Sequence, residues 1–232
     1  MPTKSKWSRF FDGHTHLPIK AGLHPEKMII NGTRIEELPM LRQEAVLTNR
    51  IVGFGIHPWY VSSLKDLPST EVYAEFSFVG EIGLDRSAKH RSNYEEQIQC
   101  VQKQLSIATQ LDKNVCFHLV KAYADTYKLL QDYHGSVFFH GYRGSLEFAQ
   151  SLKTDHCFFG FSAQQLNTRK GAYLASKLPL NRIILETDTS PCLALIKEAY
   201  LLLSSIKQVS IEHIHQHQKR NLKDWMSYSR SC

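Results

Sequence analysis

Asp12, His14 and His16 stand in the run Phe10-Phe11-Asp12-Gly13-His14-Thr15-His16-Leu17. Two histidines at i and i+2 point the same way on a β-strand, because side chains alternate faces along it. Two imidazoles side by side at a strand's end make half of a divalent-metal site. Alone, the pair fits an ordinary surface or core strand equally well. More groups of the same kind follow, each directly after an apolar run. They are His57 in Gly55-Ile56-His57-Pro58-Trp59, Glu81 and Asp85 in Val79-Gly80-Glu81-Ile82-Gly83-Leu84-Asp85, and His118 in Val115-Cys116-Phe117-His118. His140 follows in Phe138-Phe139-His140-Gly141, and Asp188 in Ile184-Leu185-Glu186-Thr187-Asp188-Thr189-Ser190-Pro191.

The elements that must carry these groups alternate along the chain. Strand-like runs fall near Phe10–Asp12, Met28–Asn31, Ile51–Gly55, Phe78–Glu81, Val115–His118, Val137–His140, Cys157–Phe161 and Arg182–Glu186. Between Asn93 and Leu111, Ile98, Val101, Leu105, Ala108 and Leu111 repeat at three and four residues, the period of an amphipathic helix. Further helices are expected at Ala122–Gln131, Ser145–Lys153, Thr168–Lys177, Leu193–Ser205 and Ile211–Met226, the last entered through a Ser210 cap. Met28–Asn31 reads as either strand or loop. Eight strands alternating with helices predict an α/β fold, a (β/α)8 TIM barrel, whose active site gathers at the C-terminal ends of the strands. All the polar groups above would then meet at one mouth. With no linker or repeat in the way, one domain over 1–232 is expected, with 1–8 and 227–232 as flexible ends.

The 232 residues are 42% hydrophobic and 22% charged, enough to bury a sizeable core. The formal charge of +6 leans weakly toward polyanionic partners. Five cysteines without a Cys-x-x-Cys pair argue against a disulfide framework and for reduced thiols. The basic start lacks an apolar leader, and no run approaches a membrane span, so a cytoplasmic protein is expected, with no membrane partner.

The motifs Phe10–Leu17, Gly55–Trp59, Gly80–Asp85, Phe117–Ala122, Phe139–Ser145 with Phe158–Ser162, and Ile184–Pro191 resemble, in order and over nearly the whole chain, those of TatD-family metal-dependent hydrolases among the amidohydrolase-like barrels. The resemblance implies a TIM barrel, two divalent metal ions and, often, nuclease activity. His14 and His16 would bind the first metal with Asp188, Glu81 would bridge both, and His118 and His140 would hold the second. Such a donor set suits Zn²⁺, Mg²⁺, Mn²⁺ or Co²⁺, and one carboxylate can span two cations roughly 3.5–4 Å apart. The pair would lower the pKa of a bridging water, with Asp188 and Glu81 as the catalytic carboxylates and Asp188 taking the water's proton.

The expected activity is therefore a phosphodiesterase, a deoxyribonuclease or 3′–5′ exonuclease on single-stranded DNA or RNA ends, acting as a monomer. The same chemistry would serve an ester or amide, such as an aminoacyl-tRNA. A barrel reduced to a scaffold is disfavoured, since all six ligands are present. His57, Lys121 and Arg143 are candidate substrate contacts. His57 is equally suited to supporting a ligand, and the two cations to a solvated role. Many relatives carry an arginine two residues beyond the fifth-strand histidine, where this chain has Val120. Trp59 and Tyr60 could stack a nucleobase or pack a loop, with packing favoured. Asp85 could orient a ligand or cap its loop, and Asp12 is expected to brace the two histidines. His213, His215 and His217 fall on a helix, where only His213 and His217 share a face, and read as surface. His24, His90, His134 and His156 receive no role.

Overall fold

The computed structural model describes residues 10–19, 25, 27–47, 50–62, 64, 67–152, 156–189 and 191–227. Residues 1–8 and 228–232 of the expected flexible ends, with His24, lie outside them, whereas Ser227 closes the last helix. Eight strands run in parallel: β1 (Phe11–Thr15), β2 (Lys27–Gly32), β3 (Arg50–Phe54), β4 (Phe78–Asp85), β5 (Val115–Val120), β6 (Val137–Phe139), β7 (Cys157–Phe161) and β8 (Ile183–Leu185), each beside the next. Helices α1 (Leu38–Ala45), α2 (Thr70–Ala74), α3 (Tyr94–Gln110), α4 (Tyr123–Leu129), α5 (Leu146–Ser151), α6 (Ala163–Leu166), α7 (Arg169–Lys177), α8 (Leu193–Lys207) and α9 (Ile211–Ser227) lie between and after them. Among the described residues, no helix is long and apolar enough to cross a membrane.

The strands are apolar on both faces, as a parallel sheet covered on both sides requires. Alternation sorts them. Ile29, Phe78, Cys116, Phe138, Phe158 and Ile184 point inward and form one buried cluster with Leu222 and Trp225 of α9. Their sequence neighbours, such as Met28, Val115, Phe117, Phe139, Phe159 and Leu185, point outward into the larger core beneath the helices. Trp225 is fully buried, 5.0 Å from Phe78 and 5.2 Å from Phe138 between ring centroids. Asn114 Nδ2 donates to its carbonyl at 2.6 Å. This indole closes one end of the barrel.

Among the described residues no ladder joins β8 to β1, so the barrel is nearly closed rather than closed. The seam is held beyond the end of β8 instead. Asp188 N donates to the His14 carbonyl, and His16 N to that of Thr189, both at 3.0 Å. The Asp12 carboxylate accepts from Thr187 N at 2.9 Å and Thr187 Oγ1 at 2.7 Å.

Buried amides on the helices fix other strand ends. Gln104 Oε1 accepts from Ile56 N at 2.7 Å while its Nε2 donates to Ile56 O at 3.1 Å, anchoring the backbone beside His57. Gln97 Oε1 accepts from Asp85 N at 2.8 Å. These amides are buried because their partners satisfy them. Met28–Asn31 is a strand, and α1, α2 and α6 are additions to the sequence reading. The first strand runs beyond Asp12 to Thr15, so His14 lies within it.

Candidate metal centre

The site is the next layer above the apolar plug. Two residues beyond inward-facing Cys116 is His118, two beyond Phe138 is His140, and two and four beyond Ile184 are Glu186 and Asp188. The period of two along a strand brings His118, His140 and Glu186 to the same interior, and the left-handed backbone of Asp188, φ 56°, returns its carboxylate there. Glu81, 2% exposed, sits at the middle. Its Oε2 lies 3.4 Å from His14 Nε2 and 3.3 Å from His16 Nε2. Its Oε1 lies 3.0 Å from His57 Nε2, 3.1 Å from His118 Nδ1 and 2.6 Å from His140 Nε2. Asp188 Oδ1 completes the ring, 3.7 Å from His14 Nε2 and 3.4 Å from His140 Nδ1.

What each imidazole touches on its other nitrogen decides what it can offer inward. His16 Nδ1 faces the Asn31 carbonyl at 3.0 Å, which can only accept, so a neutral His16 presents a lone pair at Nε2. His118 Nε2 faces Asp85 Oδ2 at 3.6 Å, leaving Nδ1 turned toward Glu81. A carboxylate behind an imidazole is the usual support of a metal-binding histidine. His14 Nδ1 lies 3.3 Å from Cys116 Sγ. His57 is the opposite case. Its Nδ1 accepts from Trp59 N at 3.1 Å, so the neutral ring carries its proton on Nε2, aimed at Glu81. His57, Glu81 and His118 also converge by distance, but a nitrogen bearing hydrogen donates and cannot ligate. His57 is built as a donor.

A divalent cation fits the remaining groups. His14 Nε2 and His16 Nε2 are 3.0 Å apart, and His118 Nδ1 and His140 Nε2 are 3.1 Å apart. Neighbouring ligands held about 2.0–2.1 Å from one cation are separated by roughly 3–3.4 Å. Two imidazole nitrogens so close repel unless a proton or a cation lies between them. His14, His16 and Glu81 Oε2 could hold one cation with Asp188, and His118, His140 and Glu81 Oε1 a second.

Burial drives His14 down to about 3, with His140 adding to the effect, and drives His57 down to about 4 against the pull of Glu81. Burial opposes the charge on Glu81, yet His140 and His57 hold its carboxyl well below the usual range. Burial also opposes charge on Asp188, which His140 nevertheless holds at about 2. For His140 burial is outweighed by Glu81 and Asp188, which carry it well above the ordinary value. The cluster thus carries protons that a bound cation would displace.

Two contributors, Glu186 and Cys116, escape the sequence reading, and the bracing expected of Asp12 takes another form. Asp12 is fully buried and braces backbone across the seam rather than the imidazole rings. Burial pushes it up to about 7 even with Thr187 donating to it. Glu186 accepts from Gly141 N at 2.6 Å, and a Cβ on Gly160 would lie 2.3 Å from its Oε2, so only glycine leaves room for it. Cys116 stands behind His14. Asp85 caps its loop, accepting from Ser87 N at 2.8 Å and from Trp59 Nε1 at 2.6 Å, while its Oδ2 stays 3.6 Å from His118 Nε2, outside hydrogen-bond reach. Lys121 and Arg143 are exposed, and the structure does not bring them into this ring. His213 and His217 share a helix face, with ring centroids 4.7 Å apart, far along the chain from any of these groups.

The family model described as TatD related DNase matches residues 19–227. It starts just past His16, so that pair joins the site by geometry. A TATDN1 homolog of Vairimorpha ceranae is 28% identical over 140 residues, covering 60% of this chain and 51% of the relative. The chain thus spans about half the length of that relative. An uncharacterized metal-dependent hydrolase of Methanocaldococcus jannaschii is 24% identical, with 97% of this chain and 96% of the relative covered. The crystal structure of YjjV, a TatD homolog of Escherichia coli, superposes with a TM-score of 0.79 at 22% identity, covering 94% of this chain and 98% of that one. The strand order, the buried carboxylate ringed by imidazoles and the matched region agree: the chain belongs to the TatD related DNase family.

Proposed function

We propose that the protein is a metal-dependent phosphodiesterase that trims single-stranded ends of DNA or RNA, using two divalent cations. The observation that carries this reading is the division of Glu81, whose two oxygens face two separate groups of imidazoles. That is the arrangement a carboxylate needs to span two cations. Bound there, the cations would supply a nucleophile at neutral pH and neutralise charge on the phosphoryl oxygens.

The protein's own groups then divide the remaining work. Asp188, charged and with its side chain 39% exposed, is placed to accept a proton from an attacking water at Oδ1. His57 Nε2–H, 3.0 Å from Glu81 Oε1, would hold that carboxylate in place between the two groups of imidazoles. Burial of His14, His57 and Glu81 excludes bulk water from the floor of the site.

End-labelled single-stranded DNA and RNA, given to metal-stripped protein with Mg²⁺, Mn²⁺, Co²⁺ or Zn²⁺ restored separately, test the proposal. Stepwise shortening that requires metal and disappears in Glu81→Ala is expected. Intact oligonucleotides in the presence of bound metal would overturn it and turn attention to carboxylic esters and amides.

A further inference from the structure

Resting on the phosphodiesterase reading, we propose that Trp59 is a preformed stacking platform for the unpaired nucleobase next to the bond that is cut. A tryptophan serving only to pack a loop would be covered. Trp59 is 48% exposed, although the residues it touches on the site side, His57 and Asp85, are 4% and 3% exposed. Exposure of so large an apolar ring calls for a ligand when the ring is also held still.

It is held at several points. Its Nε1 donates to Asp85 Oδ2 at 2.6 Å, and its backbone N donates to His57 Nδ1 at 3.1 Å. The His90 imidazole backs the indole nearly in parallel, with centroids 4.9 Å apart and planes at 11°. A ring fixed before binding loses little freedom when a base settles on it.

Position ties the platform to the chemistry. The indole stands edge-on to His57 at 4.9 Å and to His118 at 5.9 Å between centroids, and both imidazoles contact Glu81 Oε1. A base on Trp59 would thus hang its phosphate beside the ring of candidate ligands. Cations accompany the aromatics there. Lys89 Nζ lies 5.7 Å from the Trp59 centroid, and the Arg34 guanidinium lies 5.0 Å from that of Tyr60, a ring itself 43% exposed. Exposed aromatic rings interleaved with cations are how single-strand grooves take bases without regard to sequence. A base inside a duplex is stacked on both faces, and a paired terminal base is tied to its partner and cannot turn alone onto the ring, so the substrate class is an unpaired nucleotide of any base.

The test compares single-stranded DNA and RNA oligonucleotides whose terminal nucleotide is normal or abasic, at the 3′ end in one set and the 5′ end in the other. Base stacking corresponds to about 5- to 150-fold. Wild-type protein should prefer the normal terminus by a factor in that range at one end. Trp59→Ala should bring the ratio close to one, and Trp59→Phe, which keeps a ring but loses the Asp85 bond, should keep much of it. A purely structural role for Trp59 would slow both substrates together and leave the ratio unchanged.

A binding measurement separates this idea from the reading it rests on. An oligonucleotide ending in 2-aminopurine, added to metal-free protein, should be quenched by wild type and not by Trp59→Ala. Quenching without any cleavage would uphold the platform and overturn the phosphodiesterase. A wild-type ratio of one, a full ratio in Trp59→Ala, or absence of both cleavage and quenching would overturn the platform.

Discussion

Asp188 and His14 are joined by their backbones as well as their side chains: Asp188 N donates to the His14 carbonyl at 3.0 Å, and Asp188 Oδ1 lies 3.7 Å from His14 Nε2. The link spans the seam between β8 and β1. Asp188 adopts φ 56°, a left-handed conformation that turns its carboxylate back over the site. Asparagine tolerates this backbone and β-branched residues do not. Asp188→Asn should therefore keep its thermal midpoint while losing about 10²- to 10⁴-fold in kcat, the usual worth of a positioned base. Asp188→Val should lose the same activity and, in urea titration, about 1–2 kcal/mol of stability.

The Cys116 thiol behind His14 should matter for metal as well as for the packing of the plug beneath it. Cys116→Ala leaves His14 Nδ1 without its 3.3 Å partner. Loss of such support typically costs 10- to 100-fold in metal affinity. Competition against a chromophoric chelator should show that drop. Unchanged affinity would mean that packing alone orients the ring.

Asp12 makes stability depend on pH in a direction opposite to most carboxylates. Its folded value of about 7 lies above the ordinary 3.8, so between those values the native state holds the extra proton. Stability contributed by Asp12 therefore falls as pH rises from about 4 to 7, by about 4 kcal/mol at most. The stability of metal-free wild type relative to Asp12→Asn should decline across that range in denaturant titrations. A difference independent of pH would show that Asp12 is already charged in the fold.

Trp225 lies outside the site and should affect only the fold. Trp225→Ala removes the largest fully buried side chain among the described residues and leaves a hole beside Phe78 and Phe138. A loss of about 3–5 kcal/mol is expected in urea titration. Metal affinity of the folded fraction should be unchanged.

The strand-end chemistry was legible because it follows from periodicity: one apolar strand, then a donor, repeated, is what a parallel barrel writes into its chain. His118 and His140 could be placed by counting two residues from Cys116 and Phe138. Short helices were harder. α6 spans Ala163–Leu166 and is marked only by Ser162 and Gln165, which cap each other's backbone. A Ser-x-x-Gln pattern could have revealed it. The donor role of His57 depends on which nitrogen meets Trp59 N, and the place of Glu186 depends on the absence of a side chain at Gly160. The stack of His90 on Trp59 joins two loops. No spacing along one chain contains such facts.

The burial of Trp225 also bears on how the protein is made. A ribosome that has released all eight strands has yet to deliver the residue that seals their inner face. Until α9 clears the exit tunnel, Phe78, Phe138, Phe158 and Ile184 line an open, wettable bore. A chain cut just ahead of Trp225 should therefore leave this apolar face uncovered and aggregate.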